Sequence, residues 1–238
     1  FSYQLPFDLT VDADFVYSEG VDGILAKNDN VALVNGVYIE PDPRFGVINA
    51  YHNDGWTRYT ALQTQARYRR GTSNLVVSYT LAKSTSHYAT GIKGGAATNA
   101  LDLSEDEGPD DSDRRHNLVI NGSYILPFGI QTSGIFAYRS GMPYSVTTTV
   151  QLDKDPFTDR PEPRNSRRGE ALTNLDLRVS KLFATPKGTR VTLFWELFNV
   201  FNTTNFTTYQ GSLQASNFGL PIEALAMRRQ QFGIRFDF

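Results

Sequence analysis

The chain has 238 residues, 40% of them hydrophobic and 13% aromatic, which is enough material for one large all-β domain or two small ones. Its formal net charge of -2 gives no strongly basic surface that would point to nucleic acid, and the absence of cysteine excludes a disulfide scaffold, a thiolate metal site and a cysteine nucleophile. No apolar run approaches the ~18 residues that a membrane helix needs, although the strands of a membrane barrel would escape such a search.

Apolar and polar residues alternate along many segments, which predicts strands with one apolar and one polar face. In QFGIRFDF, for example, Phe232, Ile234 and Phe236 fall on one face, whereas Arg235 and Asp237 fall on the other. The same alternation, weaker in 57–70, predicts a strand stub at 1–5 and strands at 8–18, 57–70, 74–86, 114–126, 129–149, 171–183, 189–201 and 227–238. The predicted fold class is therefore all-β, an antiparallel meander of about eight long strands.

The length of these strands and the charges on their polar faces favour a transmembrane barrel. Strands of ~10 residues or more exceed the ~5–6 usual in soluble sheets and suit a tilted crossing of a bilayer. Full charges belong in a wet lumen rather than in a dry sandwich interior, while the apolar face contacts lipid. The predicted lumenal charges, expected to neutralise one another across strands, are Asp12, Asp14, Asp176, Arg178, Glu196 and Arg235. The alternative is an ordinary amphipathic sheet with a solvated polar face.

Short and long connections alternate along the chain. The short ones are LPFG at 126–129, RRGTS at 69–73 and ATPKG at 184–188, and the long ones are roughly 19–56, 87–113, 150–170 and 202–226. Short turns at one end and long loops at the other are typical of outer-membrane barrels, in which the short turns face the periplasm.

A repeated turn sequence places the start of the chain within this pattern. Leu-Pro-Phe occurs at 126–128 and again at 5–7, with Ser-Tyr two residues before each copy. If both copies mark periplasmic turns, residues 1–5 are the tail of a descending strand. We therefore expect the chain to be a fragment, cut from a longer barrel.

Several stretches resemble the C-terminal barrel region of TonB-dependent receptors, in particular the Oar-like members with a carboxypeptidase-type regulatory domain. They occur in the family's order and cover nearly the whole chain: PDPRFGVINAYHNDGWTRYTALQTQARYRR, VVSYTLAKS, DRRHNLVINGSYILPFG, YRSGMPYSV, NSRRGEALTNLDLRVSKLF, TLFWELFNVFNTTNF and RRQQFGIRFDF. The final Phe238 also fits, because outer-membrane barrels commonly end in an aromatic residue that the assembly machinery reads.

The resemblance implies a location, a set of partners and a domain assignment. Residues 1–238 would be the C-terminal portion of a barrel of about twenty-two strands, without the plug domain and the first part of the barrel. The protein would lie in the bacterial outer membrane, contacting lipid and the remainder of the barrel and plug. TonB would be reached only through the missing N-terminal part. In isolation the segment would form an open curved sheet or a partial barrel, and we do not expect a stable monomer in water.

Two charged clusters are candidate binding sites. The run LDLSEDEGPDDSDR carries seven carboxylates within 102–113, which could bind Ca²⁺ but lack the spacing of a known calcium loop. A second cluster, which could attract an anion, contains Arg160, Arg164, Arg167 and Arg168. The favoured interpretation is that these arginines, and also Arg228 and Arg229, pair with the acidic run in solvated loops.

No other motif predicts catalysis, a cofactor or a metal. His52, His87 and His116 lack metal-ligand spacing, although the last two could flank one loop. The Gly-rich segment 91–95 has no following helix to complete a phosphate site. Aromatic residues near strand ends could form membrane girdles or could simply pack in the sheet: Tyr17, Tyr59, Tyr79, Tyr124, Tyr138, Trp195 and Phe201.

The sequence leaves three functions open. The first is the barrel segment of a TonB-dependent receptor that takes part in energised uptake of a large nutrient, such as a siderophore, glycan or peptide. The second is a small self-contained outer-membrane porin or adhesin. The third, which the charged strand faces disfavour, is a soluble β-sandwich binding module.

Overall fold

The computed structural model describes residues 1–87, 97–150, 160–184 and 188–238. Two short 3-10 helices span Leu103–Asp106 and Pro127–Gly129, and no helix in the described ranges is long and apolar enough to cross a membrane. The strands are β1 (Ser2–Leu5), β2 (Leu9–Asn28), β3 (Ala32–Val34), β4 (Val37–Ile39), β5 (Asn49–Arg70), β6 (Ser73–Ser86), β7 (Gly108–Pro109), β8 (His116–Leu126), β9 (Ile130–Arg139), β10 (Pro143–Tyr144), β11 (Arg167–Arg168), β12 (Leu172–Ala184), β13 (Arg190–Phe198), β14 (Phe206–Tyr209), β15 (Pro221–Ala224) and β16 (Arg229–Asp237).

One antiparallel sheet dominates the fold. Its strands follow the order β1-β2-β5-β6-β8-β9-β12-β13-β16, with β7 paired to β6. The short strand β1 pairs with the start of β2, and eight long strands follow in chain order, which confirms the predicted meander. Among the described residues no pairing joins β1 to β16, so the sheet is open and has two free edges.

The apolar face of the sheet is not covered by a second protein layer in the described ranges. Apolar side chains on this face are exposed, for example 41% for Leu177, 61% for Ile234 and 74% for Phe232. A soluble sandwich would bury these positions, so their exposure contradicts the sandwich interpretation. It agrees with a wall whose apolar side is covered by hydrocarbon.

The polar face is the concave side of the sheet. It encloses an open cavity of about 940 Å³ that is lined by residues from seven strands, β5, β6, β8, β9, β12, β13 and β16. A flat sheet could not place side chains from seven strands around one cavity, so the sheet curves as part of a barrel wall does. The polar face is therefore the lumenal face.

The two copies of Leu-Pro-Phe form similar turns at the same end of the sheet. Phe7 and Phe128 both have left-handed backbone angles, with φ of 69° and 64°, which a bulky residue rarely adopts. Their rings are 79% and 88% exposed. Exposed phenylalanines at the short-turn end fit an aromatic girdle at a membrane interface, because there the ring can enter lipid.

The first long connection is largely strand, which corrects the predicted loop at 19–56. Strands β2 and β5 continue as a two-stranded ribbon up to the pair Asn28 and Asn49. The register shifts between Gly20 and Leu25, which breaks the period-2 pattern on which the prediction depended. At this bulge the strands approach so closely that a Cβ on Gly55 would lie 2.7 Å from the Gly23 carbonyl oxygen.

The predicted strand at 129–149 ends ten residues early, at Arg139. Gly141 leaves the sheet and packs on the backbone of Gly169. A Cβ added to Gly141 would lie 1.8 Å from the Gly169 carbonyl oxygen. The next residues pair as β10 with β11 in a separate two-stranded sheet. Alternation of side chains did not reveal this departure because it depends on contact with a distant loop.

The aromatic residues near strand ends divide between the two faces. Tyr17, Tyr124, Tyr138 and Trp195 share the apolar face and are at least 37% exposed. Tyr59 instead lies opposite Ser18 and Ser84 on the lumenal face, so a girdle position is wrong for this residue.

The apolar band ends just beyond Tyr17. Two residues further along the same face, Glu19 forms an ion pair with Arg58 at 3.0 Å, and it also accepts a hydrogen bond from the Tyr17 hydroxyl. Since ion pairs avoid hydrocarbon, this pair marks the outer limit of the lipid-facing surface on β2 and β5.

The two tryptophans should therefore report different surroundings in a bilayer. Trp195 stacks on Phe232 on the apolar face, whereas Trp56 lies two residues beyond Arg58 and packs against its guanidinium. In vesicles with brominated acyl chains, we expect strong quenching of Trp195 fluorescence in a Trp56→Phe variant. The matched Trp195→Phe variant, which retains Trp56 of the two tryptophans in residues 1–238, should be quenched less, and equal quenching of the two variants would contradict this membrane placement.

Candidate functional site: the lumenal wall and the extracellular loops

Charges on the lumenal face pair across neighbouring strands. Arg67 donates to Asp12 at 2.7 Å, and Arg178 donates to Glu196, its direct partner across β12 and β13, also at 2.7 Å. Asp176 is satisfied without an ion pair, because it accepts hydrogen bonds from the Asn199 backbone and the Asn174 amide. The predicted neutralisation across strands is confirmed for Asp12 with Arg67 and for Arg178 with Glu196. It is wrong for Asp176 and for Arg235, which pairs with Asp237 on its own strand.

One aromatic ring interrupts this polar wall. Phe194 lies on the lumenal face directly opposite Gly233, and a Cβ on that glycine would come within 2.1 Å of the ring. The ring thus covers the bare backbone of β16, and the Arg178 guanidinium lies over it, 4.4 Å from its centroid. Alternation along β13 places Phe194 on the polar face, but only its pairing with Gly233 on another strand explains why an aromatic ring lies there.

The acidic run and the arginine cluster are partners of each other. Arg160 pairs with Asp106 at 2.6 Å, Arg164 with Asp111 at 3.2 Å, and Arg168 with Asp113. The favoured interpretation is confirmed for these three arginines, except that the contacts are more buried than a solvated loop implies. Arg167 instead pairs with Glu162, and Arg228 donates to the Val200 carbonyl.

The ion pairs between the acidic run and the arginines are largely buried, so they hold the extracellular segments together. The side chains of Asp106, Asp113 and Arg164 are 2%, 3% and 4% exposed, respectively. Arg164 donates to the Ser86 carbonyl and hydroxyl, to the Asp106 carbonyl and to the Asp111 carboxylate. It therefore joins the end of β6 to the acidic run and to the segment before β11. Within the described residues no group of three or more carboxylates and histidines is placed to hold a metal ion.

A second set of contacts joins the remaining extracellular segments. The ring of Tyr209 stacks on Tyr144 at 5.4 Å and lies so close to Gly169 that a Cβ there would be 2.2 Å from it. Thr147 and Ser212 form a parallel bridge, and Thr147 exchanges backbone hydrogen bonds with Gly211 and Leu213. No sequence motif predicted these contacts, although Gly169 and Gly211 stand where side chains would obstruct them.

The three histidines have separate partners. His52 lies 2.8 Å from the Asp29 carboxylate, His87 contacts the Trp56 ring, and Nδ1 of His116 lies 2.8 Å from the Tyr79 hydroxyl. The structure therefore does not bring His87 and His116 together in the shared site that the sequence left open. The Gly-rich segment 91–95 lies outside the described residues.

Removal of the Arg164 charge should loosen the acidic run. In Arg164→Gln the backbone carbonyls of Ser86 and Asp106 lose a charged donor, which costs roughly 2–3 kcal/mol locally. We expect amide hydrogen exchange in 103–113 to accelerate about 30-fold or more. The matched Arg167→Gln change removes an exposed pair, worth about 0–1 kcal/mol, and should change this exchange little.

The Arg167 guanidinium should also be visible in a titration. Its hydrogen bonds lower the pKa of the Glu162 carboxyl below that of an ordinary glutamate, with a smaller contribution from Ser166. Since the folded pKa is depressed, this contact stabilises the loop above the unfolded pKa and is lost as the pH falls through the folded pKa. Carboxyl carbon NMR should record an upward shift of the Glu162 midpoint in Arg167→Gln. The Asp42 midpoint, lowered by Arg44, should stay unchanged.

Comparisons with known proteins agree with this architecture. Three solved structures resemble the chain: the outer membrane transporter YddB from Escherichia coli (11% identity, TM-score 0.63), the FrpB iron transporter (F3-3 variant) from Neisseria meningitidis (14%, 0.55) and the ferric-catecholate import receptor Fiu from Escherichia coli K12 (15%, 0.51). Between 98% and 99% of this chain is covered in each case, but only 31%, 29% and 26% of the respective transporter. The chain thus spans about a third or less of their length, and at these identities the likeness is one of fold. It confirms the predicted resemblance to TonB-dependent receptors at that level.

A family model gives the assignment itself. The model, described as an outer membrane beta barrel domain, matches residues 1–163 and 155–231, whereas no curated protein matches the chain. Because the match covers nearly all of the sequence, the chain belongs to the outer membrane beta barrel domain family and is a protein of the bacterial outer membrane.

Proposed function

We propose that residues 1–238 are the C-terminal portion of the barrel of a TonB-dependent receptor. The support is the alignment of almost the whole chain with about a third of a solved outer-membrane transporter. The Leu-Pro-Phe turn at 5–7, which has the same left-handed phenylalanine as the turn at 126–128, supports a descending strand before it.

The two free edges of the sheet support the same proposal. A strand edge in hydrocarbon leaves backbone N–H and C=O groups without partners, and each such group costs several kcal/mol. β1 pairs with β2 only over residues 2–5, so most of the outer edge of β2 is unpaired among the described residues. The remainder of the barrel would supply the missing strands on this edge and on β16, and without them the segment would not be a stable monomer in water.

The function that we infer is participation in energised uptake of a large nutrient, with a siderophore, glycan or peptide as the candidate classes. The observation that carries it is the curved wall with a polar, charge-lined concave face, in a fold that resembles outer-membrane transporters. A wet wall of this kind suits a solute path rather than catalysis, so we propose no enzymatic role. TonB and the plug would act through parts of the receptor outside these residues.

The mass and the conductance of the native protein test this proposal against a small porin or adhesin. The chain alone has a mass of 26.6 kDa. An antibody against it should detect in outer membranes a protein about three times as large, because the chain spans 31% of YddB. In planar bilayers this protein should show no steady open-channel conductance, since the lumen of a receptor is plugged. A band near the mass of the chain, together with a permanently open pore, would overturn the proposal.

A further inference from the structure

Two arginines lie at the extracellular end of the junction between β8 and β9. Arg139 is the last residue of β9 and stands directly opposite Asn117 on β8, on the polar face. Arg114 precedes β8 by two residues, and its guanidinium donates to the Ser140 carbonyl at 2.7 Å. Since Ser140 follows Arg139, this contact holds the Arg114 guanidinium against the end of β9. The pKa of Arg114 is lowered first by burial and second by the charge of Arg139.

No carboxylate of the described residues neutralises this pair. The nearest acidic residue in the sequence, Asp113, pairs with Arg168, and Asp106 and Asp111 pair with Arg160 and Arg164. Three of the four arginines that form the candidate anion site in the sequence are thus neutralised by the acidic run, and the fourth, Arg167, pairs with Glu162. Two arginines that no motif singled out remain without an acidic partner among the described residues.

The neighbouring Asn117 carries an unsatisfied acceptor. Its Oδ1 is buried and has no hydrogen-bond partner in the described structure. Asn117 stands opposite Thr80 on β6 and opposite Arg139 on β9, and all three residues lie on the lumenal face. A buried amide oxygen without a donor costs about 1–3 kcal/mol, so a group that donates a hydrogen bond here would be favoured.

We propose that Arg114, Arg139 and Asn117 form a binding site in the upper lumen for an oxyanion that also carries a hydroxyl group. The anion lies between the two guanidiniums and relieves their repulsion, and the hydroxyl donates to Oδ1 of Asn117. Hydroxy carboxylates, including sugar acids, have this chemistry. The site deepens the proposed function, on which it rests, because it lies where a solute enters the lumen.

The site is tested by measuring D-glucuronate binding to the protein purified from outer membranes in detergent. D-glucose, which lacks the carboxylate, is the uncharged control ligand. Calorimetry should detect glucuronate binding and glucose binding at least tenfold weaker. Arg139→Gln and Arg114→Gln should each raise the glucuronate Kd about tenfold or more, because each removes a charge-assisted contact. Arg70→Gln, at the short-turn end of β5, should leave the Kd unchanged.

A further variant tests the amide. Asn117→Leu should weaken glucuronate binding but leave the affinity for sulfate, which has no hydroxyl group, unchanged. The proposal is overturned if glucuronate does not bind below about 10 mM, if glucose binds equally well, or if Arg139→Gln has no effect. Heat-modifiable migration on gels establishes that each variant is folded. These measurements need neither TonB nor an energised membrane, so their failure is distinct from failure of the receptor proposal.

Discussion

The structure depends on one constraint, which is that every backbone N–H and C=O group within a membrane must find its partner in a neighbouring strand. The continuous ladder of backbone hydrogen bonds from β1 through β16 meets this requirement across eight strand junctions. Only the side chains then decide what each face of the sheet contacts. Since side chains alternate, each strand presents apolar residues to one side and polar residues to the other. The exposed phenylalanines of β16 and the ion pairs of the lumen are consequences of the same ladder.

The extracellular part obeys a different rule, because there the backbone is no longer held in the sheet. Its segments are fixed by side chains instead, chiefly by Arg164 and the carboxylates around it. A buried charge is stabilising only when its remaining hydrogen bonds are also made, and Arg164 makes four, two to Ser86 at the end of β6 and two to the acidic run. The end of β6, the acidic run and the segment before β11 therefore form one body.

The sheet could be predicted from the sequence because its period-2 pattern is local. The strand at 171–183 was placed within one residue of β12, and the polar ladder at Arg178 and Glu196 followed from their alternation. The ribbon beyond Gly20 could not be predicted, since a bulge shifts its register, and the end of β9 depends on Gly169, thirty residues away. The pairing of particular arginines with particular carboxylates was also beyond the sequence, which supplied only their number and charge. The Asn117 acceptor was missed for the same reason, because an unsatisfied atom has no signature in a pattern of residue types.

The two groups of ion pairs differ in how readily they exchange partners. In the lumen, the side chains of Arg67 and Arg178 are 52% and 45% exposed, so water can replace their carboxylates and the pairs contribute about 0–1 kcal/mol. In the loops, Asp106 and Arg164 are almost inaccessible, so salt screens them little and loss of a partner leaves a buried charge. A solute in the lumen can therefore compete for the wall without disturbing the loops above it. The extracellular loops can therefore keep their structure when the salt concentration outside changes, while the ion pairs of the lumenal face can still exchange partners with a solute.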